Sequence, residues 1–257
     1  MDLVVIGAGR AGGSLARAAT AAGHRVIGVL SRRPQHEFPA LDWDEPLPGC
    51  DLAIVAVSDG AIREVAERLG PRWNPGIPAV HVSGFASVDA LEAIAATGAL
   101  VGSFHPLQTL PDPERGAAAL PGAWAAITAS DPLAGLLETF AESLGMRPFS
   151  LADSAKPLYH AAAAAAANYV VEALGVAADL LEAAGVDMRV VEPLTRRVVE
   201  NVFDVGPAAA LTGPIARGDL DTVKGQMRAA DSVSPEVGEQ FRLLARATAL
   251  RAGVDLE

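Results

Sequence analysis

The chain has 257 residues, 51% of them hydrophobic and 20% charged, with a net charge of −11. That balance builds a buried core and excludes a disordered chain, while the acidic surface repels phosphate backbones and argues against nucleic-acid partners. The single cysteine, Cys50, and five histidines without an HxxxH spacing exclude an internal disulfide and leave no metal-site signature.

The first residues, MDLVVIGAGRAGG, contain neither a cationic segment nor a long apolar one, so no signal peptide is expected there. Asp2–Ile6 reads as a strand and Arg10–Ala22 as a helix. Further strands are expected at Arg25–Leu30, Asp51–Val57, Ala79–Ser83, Leu100–Phe104 and Trp124–Ala129. These runs are short and apolar on both sides, as in a parallel sheet covered on both faces. Helical stretches such as Ala61–Leu69 and Val88–Ala96 lie between them. Repeated βα units predict a doubly wound, mostly parallel Rossmann sheet.

Near residue 150 the pattern changes. One long helix is expected from about Asp153 to Ala184, with others at Met188–Val202, Leu220–Ala230 and Pro235–Ala252. The apolar run at Ala161–Ala167 stops at Asn168, which is too short for a membrane span of about 20 residues. The expectation is an α/β dinucleotide-binding domain over 1–152 and an all-helical domain over 153–257. A soluble cytoplasmic protein, with no membrane partner, follows from these readings.

Gly7-Ala8-Gly9-Arg10-Ala11-Gly12 matches GxGxxG, placed after a strand and opening a helix. Gly7 permits the tight turn, Gly9 lets a pyrophosphate approach the backbone, and Gly12 lets the helix pack on the sheet. Free N–H groups of Arg10 and Ala11 at the helix start would face the phosphates. The second strand ends in Ser31-Arg32-Arg33, where NAD sites usually hold an acidic residue. A hydroxyl and two guanidiniums suit a 2′-phosphate, so NADP is the expected cofactor. Val57-Ser58-Asp59 and Ser83 end two further strands on the same edge, in reach of ribose or nicotinamide. Asp59 serves equally well as a helix cap.

Three segments carry candidate chemistry. His105, in Phe104-His105-Pro106, is placed at a strand's carboxyl end, where an imidazole can donate to a carbonyl or shuttle a proton. It can also simply bond its own loop. Lys156 and His160 are four apart at the start of the long helix and share a face, with Asn168 two turns on. Together they can polarise a carbonyl oxygen; a solvated lysine and a core histidine are the plain alternatives. Thr212, Arg217 and Asp219 decorate a Gly-Pro loop that would suit a substrate carboxylate, although Arg217 and Asp219 can also pair with each other or cap a helix.

These pieces resemble the 6-phosphogluconate dehydrogenase-like superfamily, which includes hydroxyisobutyrate and prephenate dehydrogenases and ketopantoate and pyrroline-5-carboxylate reductases. GSFHPLQT, KPLYHAAAAAAAN and LTGPIARGD are similar to a bacterial family joining a Rossmann-like domain to a helical C-terminal domain of unknown function. The resemblance implies a catalytic lysine at Lys156, with His160 where hydroxyacid dehydrogenases carry an asparagine. His105-Pro106 resembles the His-Pro pair of prephenate dehydrogenases. The superfamily also implies a homodimer formed through the helical domain. The expected function is NADP(H)-dependent hydride transfer to or from a small 2-oxo or 2-hydroxy acid, ketopantoate-like. The alternatives are a prephenate- or arogenate-like dehydrogenase and a non-catalytic NADP-binding sensor.

Overall fold

The computed structural model describes residues 1–32 and 37–256, so Arg33 lies outside the described residues. The chain divides into two compact units, Met1–Ala164 and Ala165–Glu257. The division falls inside a helix, later than the expected 152/153. The physical reason is Lys156, whose buried side chain ties the start of that helix to the sheet.

The first unit is built on seven strands: β1 (Asp2–Ile6), β2 (Arg25–Leu30), β3 (Leu52–Val55), β4 (Ala79–His81), β5 (Val101–Leu107), β6 (Trp124–Thr128) and β7 (Arg147–Ser150). They lie in the order β2-β1-β3-β4-β5-β6-β7. Neighbours from β2 through β5 pair parallel, β6 runs antiparallel to β5, and β7 is parallel to β6. Helices α1 (Arg10–Ala21), α2 (Ile62–Leu69), α3 (Glu92–Ala95), α4 (Pro113–Ala119) and α5 (Leu133–Ser143) connect them. The period of two along β1 sends Leu3 into one core layer and Val4 and Ile6 into the other. Both faces are therefore apolar, which explains the uninterrupted hydrophobic runs. The neighbours of β1 are β2 on one side and β3 on the other. The strand order reverses there, and in open α/β sheets ligands bind outside the carboxyl ends at that point.

Two details correct the sequence expectations. β5 continues through His105 and Pro106 to Leu107, so His105 sits within a strand. β4 pairs only as far as His81 with Ser103, and beyond Ser103 the paired neighbour of β5 is β6. A proline is tolerated on such a one-sided stretch. β7, α4 and α5 were not anticipated.

Helix α6 (Lys156–Ala183) begins in the first unit and continues into the second. Asp153–Ala183 is long and apolar enough to cross a membrane by length and composition, with mean hydropathy 1.4 over its most apolar window. This corrects the expectation that the run ends at Asn168, because Tyr169, Val170 and Val171 continue it. The second unit also contains α7 (Glu192–Val205), α8 (Pro214–Arg217), α9 (Leu220–Val233) and α10 (Pro235–Ala252). α9 and α10 form a hairpin around Val223, Ala230, Val237 and Ala249. Ser234 stops α9 and caps α10 by accepting from the Val237 N–H at 3.2 Å. α7 buries none of its residues. Tyr169, Val171, Leu194 and Phe203 are exposed on the second unit.

Candidate active site

The loop after β1 is shaped by contacts that only glycine can make. Gly7 has φ +106°, and a Cβ there would meet the Ala56 carbonyl. A Cβ on Gly12 would overlap the Gly7 carbonyl oxygen, so α1 packs directly on the loop. Gly9 differs: a Cβ there would meet nothing within 4 Å. Its backbone faces open space at the start of α1, and no side chain caps that helix. The first N–H groups of α1, including those of Arg10 and Ala11, are thus left for an anion. The loop opens on a cleft of about 320 Å³ whose walls include Gly9, Ser31, Arg32, Val57 and Ser58. Asp59 and Ser83 do not line this cleft. Asp59 makes no side-chain cap and sits in a short 3-10 turn before α2.

Sequence reasoning missed two further walls of the cleft, Trp43 and Arg68. The Arg68 guanidinium lies 5.0 Å from the centre of the Trp43 ring, a cation–π contact. Trp43 comes from the connection between β2 and β3, where no periodic pattern marks it.

A second polar group gathers at the ends of β4 and β5. Lys156 and His160 turn to the same side of α6, as their spacing predicts, but they do different things. Lys156 is 1% exposed. Its Nζ donates to the Ser83 carbonyl at 3.1 Å and to Ser103 Oγ at 2.6 Å. Burial lowers its pKa to about 8. Ser83 is fully engaged, since its hydroxyl also accepts from the N–H groups of Phe85 and Ala86. His160 packs edge-on against Phe85, with its ring centre 6.3 Å from that of His105.

His105 Nδ1 lies 2.8 Å from the Tyr159 hydroxyl. Burial, then the neighbouring His160 and Lys156, push its pKa down to about 4, so its imidazole is neutral at pH 7. Burial raises Tyr159 to about 12. The ring of His105 lies against Gly84, where a Cβ would stand 2.8 Å from Cε1 and Nε2. One layer deeper, His81 is 0% exposed and accepts from the Ser83 N–H at 3.2 Å. Burial and Lys156 lower its pKa to about 4. Tyr159 and His81 were not singled out from sequence: one reads as helix filler and the other as strand.

Residues 123–248 match the family described as Domain of unknown function (DUF2520). The fold is similar over 97% of this chain to a candidate NADP oxidoreductase from Bacteroides fragilis, with 25% identity, 98% of that chain covered and a TM-score of 0.85. This match and this fold support the resemblance to the 6-phosphogluconate dehydrogenase-like superfamily. Other solved structures of similar fold are more distant in sequence. A Streptomyces aurantiacus imine reductase shares 14% identity over 99% of this chain and 96% of its own, with a TM-score of 0.70. A reductive aminase from Aspergillus terreus, solved with NADPH and ethyl levulinate, shares 15% over 99% and 96%, with a TM-score of 0.68. Comparison with curated proteins finds no match.

The remaining expected residues lie in the second unit. Asn168 is exposed on α6. Arg217 ends α8, and Thr212 lies in the loop before it. Asp219 caps α9 by accepting from the Thr222 N–H at 3.2 Å, the helix-capping alternative read from the sequence. The Thr222 side chain and then its N–H, with Arg217 nearby, lower the pKa of its carboxyl.

Proposed function

We propose that this protein is an NADP(H)-dependent oxidoreductase that reduces a small 2-oxo acid or oxidises the corresponding 2-hydroxy acid, working as a homodimer. The supporting observation is the glycine cradle opening on a cleft flanked by Ser31 and Arg32, with no acidic residue at that strand end. Gly9 and the free start of α1 would hold the pyrophosphate, and Ser31 and Arg32 the 2′-phosphate. The bound dinucleotide would supply or accept the hydride.

The chain's own part in the chemistry is proton handling. With hydrogen on Nδ1, neutral His105 donates to the phenol oxygen of Tyr159 and leaves the Tyr159 hydrogen free for a substrate oxygen. A developing alkoxide is more basic than a phenol with a pKa near 12, so the transfer runs downhill. His160 and Phe85 wall this space. Lys156 acts on the substrate only through Ser83 and Ser103, and is a positioning residue.

A second reading, reduction of a small imine, is favoured by the fold likeness to an imine reductase and a reductive aminase. One experiment tests both. The protein is incubated with NADPH and panels of 2-oxo acids and cyclic imines, and oxidation of the cofactor is followed by absorbance. Turnover of the oxo acids supports the first reading, and turnover of imines alone supports the second. Tight NADPH binding without turnover in either panel would favour a sensor.

A further inference from the structure

We propose that Arg68 and Trp43 form the adenosine end of the cleft, with Arg68 a specificity-determining cation for a 2′-phosphate and Trp43 the platform that carries it. The inference rests on the cleft being the dinucleotide site. Both residues line the same cleft as Gly9, Ser31 and Arg32, yet they come from neither the glycine loop nor the end of β2. Among the described residues, the cleft's charged walls are Arg32, Arg68 and one carboxylate, Glu64. A dianionic phosphate facing that carboxylate is better held by two guanidiniums than by one.

The local geometry readies Arg68 for that role. Its guanidinium is stacked on Trp43 at 5.0 Å, and its outer nitrogen reaches Asp44 Oδ1 at 3.2 Å. Arg72 donates to the backbone carbonyl of Trp43 at 3.0 Å and also to that of Asp44, so the platform is tied down independently of Arg68. The Nε1 of Trp43 is shielded from water without a hydrogen-bond partner, so its own hydrogen bonding does not explain its placement. The Arg68–Asp44 pair is half in solvent, with side chains 49% and 80% exposed. Such a pair is weak, and exchanging Asp44 for a phosphate costs little. Without a 2′-phosphate, Arg68 stays with Asp44 and adds little to binding.

The test uses the whole protein with adenosine 2′,5′-bisphosphate and AMP, which differ only in the 2′-phosphate. Binding is followed by calorimetry and by tryptophan fluorescence. The bisphosphate is expected to bind at least roughly tenfold more tightly, as one charge-assisted contact would give. Trp43→Phe should abolish the fluorescence change while binding persists, since Trp73 is buried on a bond to Ile77 and Trp124 stands on β6. Arg68→Met, which keeps the stem on the ring, should weaken the bisphosphate roughly tenfold and leave AMP unchanged, and Arg68→Lys should recover part of the loss. Equal weakening of both nucleotides would mean that Arg68 only shapes the wall or stacks on adenine, and would overturn the proposal. So would no change in either. If the unmodified protein bound neither nucleotide nor NADPH, the dinucleotide reading itself would fall. Normal NADPH binding with an indifferent Arg68→Met variant sinks only the present inference.

Discussion

The Tyr159 hydroxyl meets Nδ1 of His105 at 2.8 Å, joining the first turns of α6 to the far end of β5 across 54 residues of sequence. Neither group is charged at neutral pH, so the pair can hand on a proton without first separating charge. Tyr159→Phe keeps the ring and its packing but removes the transferable hydrogen. Turnover on a true substrate should fall by about 10², with NADPH affinity unchanged in a binding titration. Full turnover would remove Tyr159 from the chemistry.

Lys156 presents two opposing costs. Its lowered pKa, near 8 against 10.5, means the buried ammonium is held at a penalty of about 3 kcal/mol. Lys156→Met removes that penalty but leaves the Ser83 carbonyl and Ser103 hydroxyl short of a donor, at about 1–3 kcal/mol each. The two largely offset each other, so stability in urea should change by no more than about 3 kcal/mol. Turnover should still fall tenfold or more, because Ser83, just beyond β4, and Ser103, within β5, belong to the segments that carry Gly84 and His105. A large loss of stability with normal turnover would make Lys156 purely structural.

His81 makes stability depend on pH in a defined window. Its pKa is about 4 in the folded chain and 6.5 when exposed. Between those values the unfolded chain binds a proton that the native one refuses, so stability falls as pH drops from 6.5 to 4. The contribution is about 3 kcal/mol for a fully buried ring. His81→Phe should remove roughly half of that slope in a stability-against-pH curve measured by thermal unfolding, the rest coming from His105, whose pKa is also about 4. A slope unchanged in the variant would refute the assignment.

The glycine loop separates folding from binding. Gly9→Ala enters open space, so the melting temperature should stay within a degree or two, roughly the effect of a neutral surface change. Dinucleotide affinity should nonetheless fall, because the methyl occupies the approach of the phosphates. Gly12→Ala meets the Gly7 carbonyl and should destabilise the fold itself. Identical behaviour of the two variants would contradict the cradle.

The second unit leaves large apolar side chains in water, among them Tyr169, Val171, Leu194 and Phe203. Each regains about 1.5–3 kcal/mol if covered. A second copy is the expected cover, in a two-fold arrangement. Light scattering should report a dimer at micromolar concentration, and Phe203→Asp with Leu194→Asp should shift it to monomer. A monomeric unmodified protein would contradict this.

Much of the first unit was legible in the sequence because its strands are buried on both faces and read as apolar runs. β7 was not, since Arg147-Pro148-Phe149-Ser150 sits at the sheet edge and lacks such a run. The glycine loop was legible because its chemistry is local. The polar group was only half legible. The spacing of Lys156 and His160 shows a shared face, but not that the long lysine stem carries its ammonium inward to Ser103. Tyr159 and His81 gain meaning only from partners that the chain brings from elsewhere, and no short-range pattern records those partners.

Gly84 gives His105 its present seat, because the ring tip stands where a side chain at 84 would begin. Positions 84 and 105 are therefore a single unit of inheritance. A lineage that gained even alanine at 84 would have to turn the imidazole away from its bond to Tyr159, give up the histidine or shift the backbone. Among related chains, a residue larger than glycine at 84 should travel with a smaller or differently placed one at 105, and such a pair would mark proteins that have exchanged this chemistry for another.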